Sequence, residues 1–124
     1  MKPQKLFIEA FTEGDEWDGI PEISITVGPE GGPFAPPANP LSVVTMRFKK
    51  ASDVQPNAVV EISSATAGQI TITNAATWTF SIPPQIVALL AYGKWKWRIR
   101  CKDNTATGKP KTYLADEVEI LETV

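Results

Sequence analysis

The segment Lys94 to Lys102, KWKWRIRCK, alternates five cations (Lys94, Lys96, Arg98, Arg100 and Lys102) with Trp95, Trp97, Ile99 and Cys101. Alternate residues of a strand line one face at about 6.6 Å spacing, so the order predicts a strand with one cationic and one apolar face. A cationic ladder of this kind can hold an anion. The competing chemistry is neutralisation by the segment Thr112 to Leu121. An antiparallel pairing that sets Trp97 against Val118 also sets Arg98 against Glu117 and Lys96 against Glu119. Each such exposed pair contributes from a few tenths to about 1 kcal/mol. Lys94, Arg100 and Lys102 then remain as a residual basic patch at the two ends of the strand, and a solvated face is favoured over a dedicated ligand site. Nucleic acid is not an expected partner, because Trp95 and Trp97 lie on the face opposite the cations, whereas a stacking platform needs both on one surface.

Glu13, Asp15, Glu16 and Asp18 in the stretch EGDEWDG offer hard oxygen ligands. Their spacing does not match a calcium loop with a central glycine and a closing glutamate, so a solvated acidic turn is the expectation. The chain has no histidine and one cysteine, Cys101. A Ser-His-Asp or Cys-His arrangement is therefore excluded, and a zinc site has almost no ligands. Cys101 is expected to pack in the core as a small hydrophobe. The carboxylates fall in turns or on a solvent face, where nothing shifts their pKa values toward acid–base work. No catalytic, cofactor-binding or metal-binding residue is assigned, and the chain is not expected to be an enzyme. Four tryptophans in a small β protein raise the alternative of a carbohydrate-binding or other ligand-binding module. Trp78, Trp95 and Trp97 sit on inward stripes, which leaves Trp17, with Phe34 or Tyr113, as the one available platform.

These residues must be positioned by a single small domain. A chain of 124 residues with 43% apolar content supports one hydrophobic core, so residues 1–124 are expected to form one unit. Twelve Lys and Arg against 14 Asp and Glu leave a net charge of -2, which argues against bulk electrostatic binding to nucleic acid. No signal-peptide run or membrane-length apolar run is present, and a soluble protein made in a cytoplasm is expected.

Period-two alternation recurs in segment after segment and predicts strands at Lys5 to Phe11, Glu22 to Val27, Leu41 to Lys49, Ala58 to Ser63, Gln69 to Asn74, Thr77 to Ile82, Lys94 to Lys102 and Thr112 to Leu121. The last two are expected to pair antiparallel. Gly28 to Pro40, GPEGGPFAPPANP, is too rich in Pro and Gly for a regular ladder and reads as a long surface loop. A turn is expected near Asp53 to Asn57, and Asp103 to Lys111 reads as a tip loop. Pro83-Pro84 opens the only helical candidate, PPQIVALLAYG, of one or two turns before the penultimate strand. Short, regularly spaced strands point to an all-β sandwich.

LLAYGKWKWRIRCKD followed by TGKPKTYLADEVEI resembles a pattern in small phage and prophage virion proteins: a leucine, a glycine, alternating aromatics, a tip loop and a valine-bearing strand. GDEWDGI and PLSVVTMRFKK are similar to the start and to an early strand of those proteins. The chain departs from the pattern at Trp95 and Trp97, where tyrosines are usual, at Arg98, where an acid is frequent, and at Ala115-Asp116, where a glycine is frequent. Leu90, Gly93 and Trp95 also resemble the corner before the penultimate strand of fibronectin type III and bacterial immunoglobulin-like modules.

The resemblance implies an immunoglobulin-like antiparallel sandwich of about seven to eight strands. It implies a virion part, such as a tail, baseplate or fibre-attachment component, with other virion proteins as partners and a tendency to homo-oligomerise. No cofactor, membrane or nucleic-acid partner is implied.

Overall fold

The computed structural model describes residues 6–29, 31–50, 59–87 and 90–123. The described residues are all-β, with eight strands: β1 (Phe11–Thr12), β2 (Ile20–Ser24), β3 (Leu41–Lys50), β4 (Val59–Ser63), β5 (Thr71–Asn74), β6 (Thr79–Ile82), β7 (Gly93–Asp103) and β8 (Lys111–Leu121). They form a five-stranded sheet in the order β1, β8, β7, β3, β4 and a three-stranded sheet in the order β2, β6, β5. Every named pairing is antiparallel except β1 with β8, which is parallel.

The two sheets close on one continuous core. From the larger sheet it takes Val44, Met46 and Phe48 of β3 and Trp95, Trp97, Ile99 and Cys101 of β7. Phe80 and Ile82 of β6 and Ile23 of β2 enter from the smaller sheet. Burying both inner faces against each other is what gives alternating strands of this kind a stable arrangement. The alternation of β7 is retained: Trp95, Trp97, Ile99 and Cys101 are buried, Lys94, Lys96 and Arg98 are exposed, and Arg100 and Lys102 are half-buried. Val118 and Ile120 of β8 join the core as expected. Burial pushes the Cys101 thiol up to about 12, so it stays protonated and packs as a hydrophobe.

Four sequence expectations are corrected. The described part of Lys5 to Phe11 joins no sheet until Phe11, where β1 pairs with β8 opposite Ile120. The described residues of Pro83 to Gly93 form no helix. Gln85 instead makes a two-way backbone bridge with Trp17, its N–H donating to the Trp17 carbonyl at 2.9 Å and its carbonyl accepting from Trp17 at 2.8 Å. Such a bridge takes the backbone groups that a helical turn would have used.

The third correction is Trp17 itself, which is only 4% exposed. It stacks on Phe11 at 5.6 Å and meets the edge of Phe48 at 6.4 Å, so it is a core residue inside an acidic turn. The fourth is register. Trp95, not Trp97, lies opposite Val118, and a bulge follows Ile99. The turn expected at Asp53 to Asn57 lies outside the described residues.

Candidate functional site

The long loop and the tip loop, far apart in sequence, meet at one end of the sandwich. Asn104 donates its N–H to the Pro40 carbonyl at 3.0 Å, Leu41 donates to Ala75 at 3.0 Å, and the Trp78 indole N–H donates to the Asn39 carbonyl at 2.7 Å. The chain enters β6 through Trp78, whose φ of 54° is in the left-handed region. Its ring packs edge-on against Tyr113 of β8 at 5.6 Å. Between the loops lies a concavity of about 440 Å³, with Asn39, Asp103, Thr105, Lys109, Lys111 and Tyr113 in its lining.

Asp103 organises the tip. Its Oδ1 accepts from the Thr105 hydroxyl at 2.5 Å and from the Thr105 N–H at 3.0 Å, while Lys102 Nζ donates to the carbonyls of Asp103 and Thr105. The Thr105 hydroxyl, then the Thr105 amide and a side-chain hydrogen bond from Asn39, hold the Asp103 carboxyl below the usual aspartate range, with the Lys102 charge adding to this. Gly108 closes the loop where any Cβ would run into the Asp103 carboxylate.

A pH dependence follows from this arrangement. A depressed folded pKa means that the ordering of the tip is present above the ordinary aspartate pKa and is lost as pH falls through the lower, folded value. In an NMR titration the Thr105 amide is expected to shift with a midpoint below that of ordinary exposed aspartates. A midpoint equal to theirs would show that Thr105 does not hold the carboxylate.

The cationic face of β7 is also altered by the structure. Lys96 lies opposite Glu117 and Lys94 opposite Glu119, whereas Arg98 lies opposite Ala115. The anticipated Arg98–Glu117 and Lys96–Glu119 pairs are therefore not formed. Of the residual patch, Lys94 lies opposite Glu119, Arg100 donates to the Pro110 carbonyl, and Lys102 donates to the carbonyls of Asp103 and Thr105. On its other side β7 meets β3, with Arg98 opposite Arg47 and Lys96 opposite Lys49.

Sequence reasoning missed this second strand of cations because it considered β7 only beside β8. Among the described residues the one ion pair is Arg47 with Glu61 of β4. The acidic turn carries Asp15, Glu16 and Asp18 exposed, and among the described residues no group of three Cys, Asp or Glu side chains is gathered to hold a metal.

Compared with known proteins, the chain matches no family model, no curated protein and no solved structure.

Proposed function

We propose that this chain is an immunoglobulin-like sandwich serving as a non-catalytic structural or assembly protein of a phage or prophage particle, as a tail, baseplate or fibre-attachment component, with other virion proteins as partners. The strand order supports the fold. Labelled in the immunoglobulin manner, β2, β6, β5 correspond to B, E, D and β8, β7, β3, β4 to G, F, C, C′, the arrangement of variable-type domains. In that scheme the β2–β3 and β7–β8 connections emerge at the end that variable domains use for recognition.

The observation that carries an interface role is the meeting of those two connections, Gly28 to Pro40 and Asp103 to Lys111, around one concavity. Loops held on a rigid sandwich can change partner without disturbing the core. The assignment to a virion comes from the sequence resemblance.

The test is to induce the host, purify particles on a density gradient and search them for peptides of this chain. Co-sedimentation at a fixed ratio to a tail protein is the expected result, and absence from intact particles would overturn the reading.

One observation favours a second reading, a ligand-binding module. Tyr113 lines the concavity together with Asn39, Asp103 and Lys109, an aromatic beside polar groups. With Trp17 buried, a sugar platform rests on Tyr113 alone or on the exposed Phe34. A glycan array without a hit, together with unchanged tryptophan fluorescence on adding oligosaccharides, would remove it.

A further inference from the structure

The outer face of the five-stranded sheet sets like charges directly across from one another at two successive outward positions, Arg47 with Arg98 and Lys49 with Lys96. Like charges in opposed positions destabilise a sheet. Glu61 pairs with Arg47, and Glu117 stands opposite Lys96. On their outer sides Lys49 lies opposite Val59 and Arg98 opposite Ala115. Arg47, Lys49, Lys96 and Arg98 line a shallow concavity of about 760 Å³. Asp116 and Glu117 also line it, which makes it a mixed-charge surface suited to a folded protein more than to a densely anionic polymer.

The complementary surface is on the same chain. From Leu6 to Met46 there is no Lys or Arg, whereas Glu9, Glu13, Asp15, Glu16, Asp18 and Glu22 are all acidic. Asp15, Glu16 and Asp18 are exposed around the buried Trp17, whose bridge to Gln85 and stack on Phe11 fix the turn. Glu13 N–H donates to the Leu121 carbonyl at 2.9 Å, which ties the start of the turn to the β1 edge of the sheet. A fixed acidic knob at the sheet edge and a hollow on the flat of the same sheet lined by four cations against two acids give the molecule two surfaces of opposite prevailing sign. A rigid knob also loses little conformational freedom on docking.

We propose that the acidic turn Glu13 to Asp18 of one copy docks on the Arg47, Lys49, Lys96, Arg98 face of the next. This deepens the assembly reading above and rests on it. The contact joins different surfaces, so it is heterologous and builds a ring or a filament according to whether the rotation closes. A single contact between exposed charges is weak, so association is expected only at high protein concentration.

Sedimentation velocity of the full chain tests the idea, at protein concentrations in the hundred-micromolar range and at low and high salt. Association is expected at low salt and should weaken by about tenfold or more in half-molar salt, where screening shortens the reach of the charges. The double variant Lys49→Glu, Arg98→Glu and the triple variant Asp15→Lys, Glu16→Lys, Asp18→Lys should each be monomeric, while an equimolar mixture of the two should associate again. All five side chains are exposed, so both variants should keep the near-UV signal of buried tryptophan. If either fails to do so, its neutral counterpart (Lys49→Ser, Arg98→Ser or Asp15→Asn, Glu16→Gln, Asp18→Asn) is used in its place and should also be monomeric.

A monomeric wild-type chain, loss of association in only one variant, or failure of the charge-reversed mixture to associate would each overturn the proposal. None of these outcomes would bear on whether the chain is found in purified particles, so failure here is distinguishable from failure of the assembly reading.

Discussion

Trp97→Ala is expected to cost about 3 to 5 kcal/mol of stability, whereas Arg98→Ala, one residue away, should change it by well under about 1 kcal/mol. Trp97 is 2% exposed and sits opposite Phe48 on β3 at the centre of the larger sheet, so truncation leaves a cavity that two hydrogen-bonded neighbours keep open. Arg98 is exposed and faces Arg47, so its removal relieves a repulsion and should act slightly in the stabilising direction. Urea unfolding followed by tryptophan emission measures both, provided the slope is unchanged.

A finer comparison separates packing from hydrogen bonding. The Trp95 indole N–H donates to the Ala91 carbonyl at 2.9 Å, whereas the Trp97 indole N–H is buried with no acceptor among the described residues. Phenylalanine at 95 forfeits a bond, but at 97 it removes an unsatisfied donor, and a buried unsatisfied donor is itself costly. Trp95→Phe should therefore be the more destabilising of the two. The opposite order would mean that β7 is not anchored as described.

Period two was enough to read the core face of β7 from the sequence, and it was not enough to read the register. A slip of two residues between β7 and β8 leaves every side chain on the same face, so hydrophobic patterning cannot distinguish Trp97 opposite Val118 from Trp95 opposite Val118. Charge matching favours the former, yet each exposed pair is worth too little to set a register. The bulge after Ile99 and the tip loop closed by Asp103, Thr105 and Gly108 are local backbone features that no side-chain alternation reports.

Trp17 was illegible for a related reason. A single apolar residue among Asp15, Glu16 and Asp18 has no periodic neighbours, and its burial depends on Phe11, Phe48 and Gln85, which lie elsewhere in the chain. The two loops of the candidate site were legible as loops from their Pro, Gly and Thr content. That they share one end of the sandwich depends on which strands cross between sheets. The facing cations of β3 and β7 depend on the same topology, since about fifty residues separate Arg47 from Arg98 and only the sheet order makes them neighbours.

Gly19→Ala is expected to cost about 3 kcal/mol or more. The chain passes here from the Trp17–Gln85 bridge into the pairing of Ile20 with Ile82. A Cβ at Gly19 would overlap the Ile82 carbonyl oxygen and crowd the backbone of Pro83. Neither can move aside without opening that pairing, and the glycine's φ of +73° is itself in the left-handed region.

Gly14 supplies the control. Its φ is +79° but nothing lies within 4 Å of an added Cβ, so Gly14→Ala should cost only the conformational term of about 1 to 2 kcal/mol. The difference between the two variants isolates the close approach of the acidic turn to β6. Equal costs would mean that the turn is not clamped at Ile82, and the fixed acidic knob would then lose its structural basis.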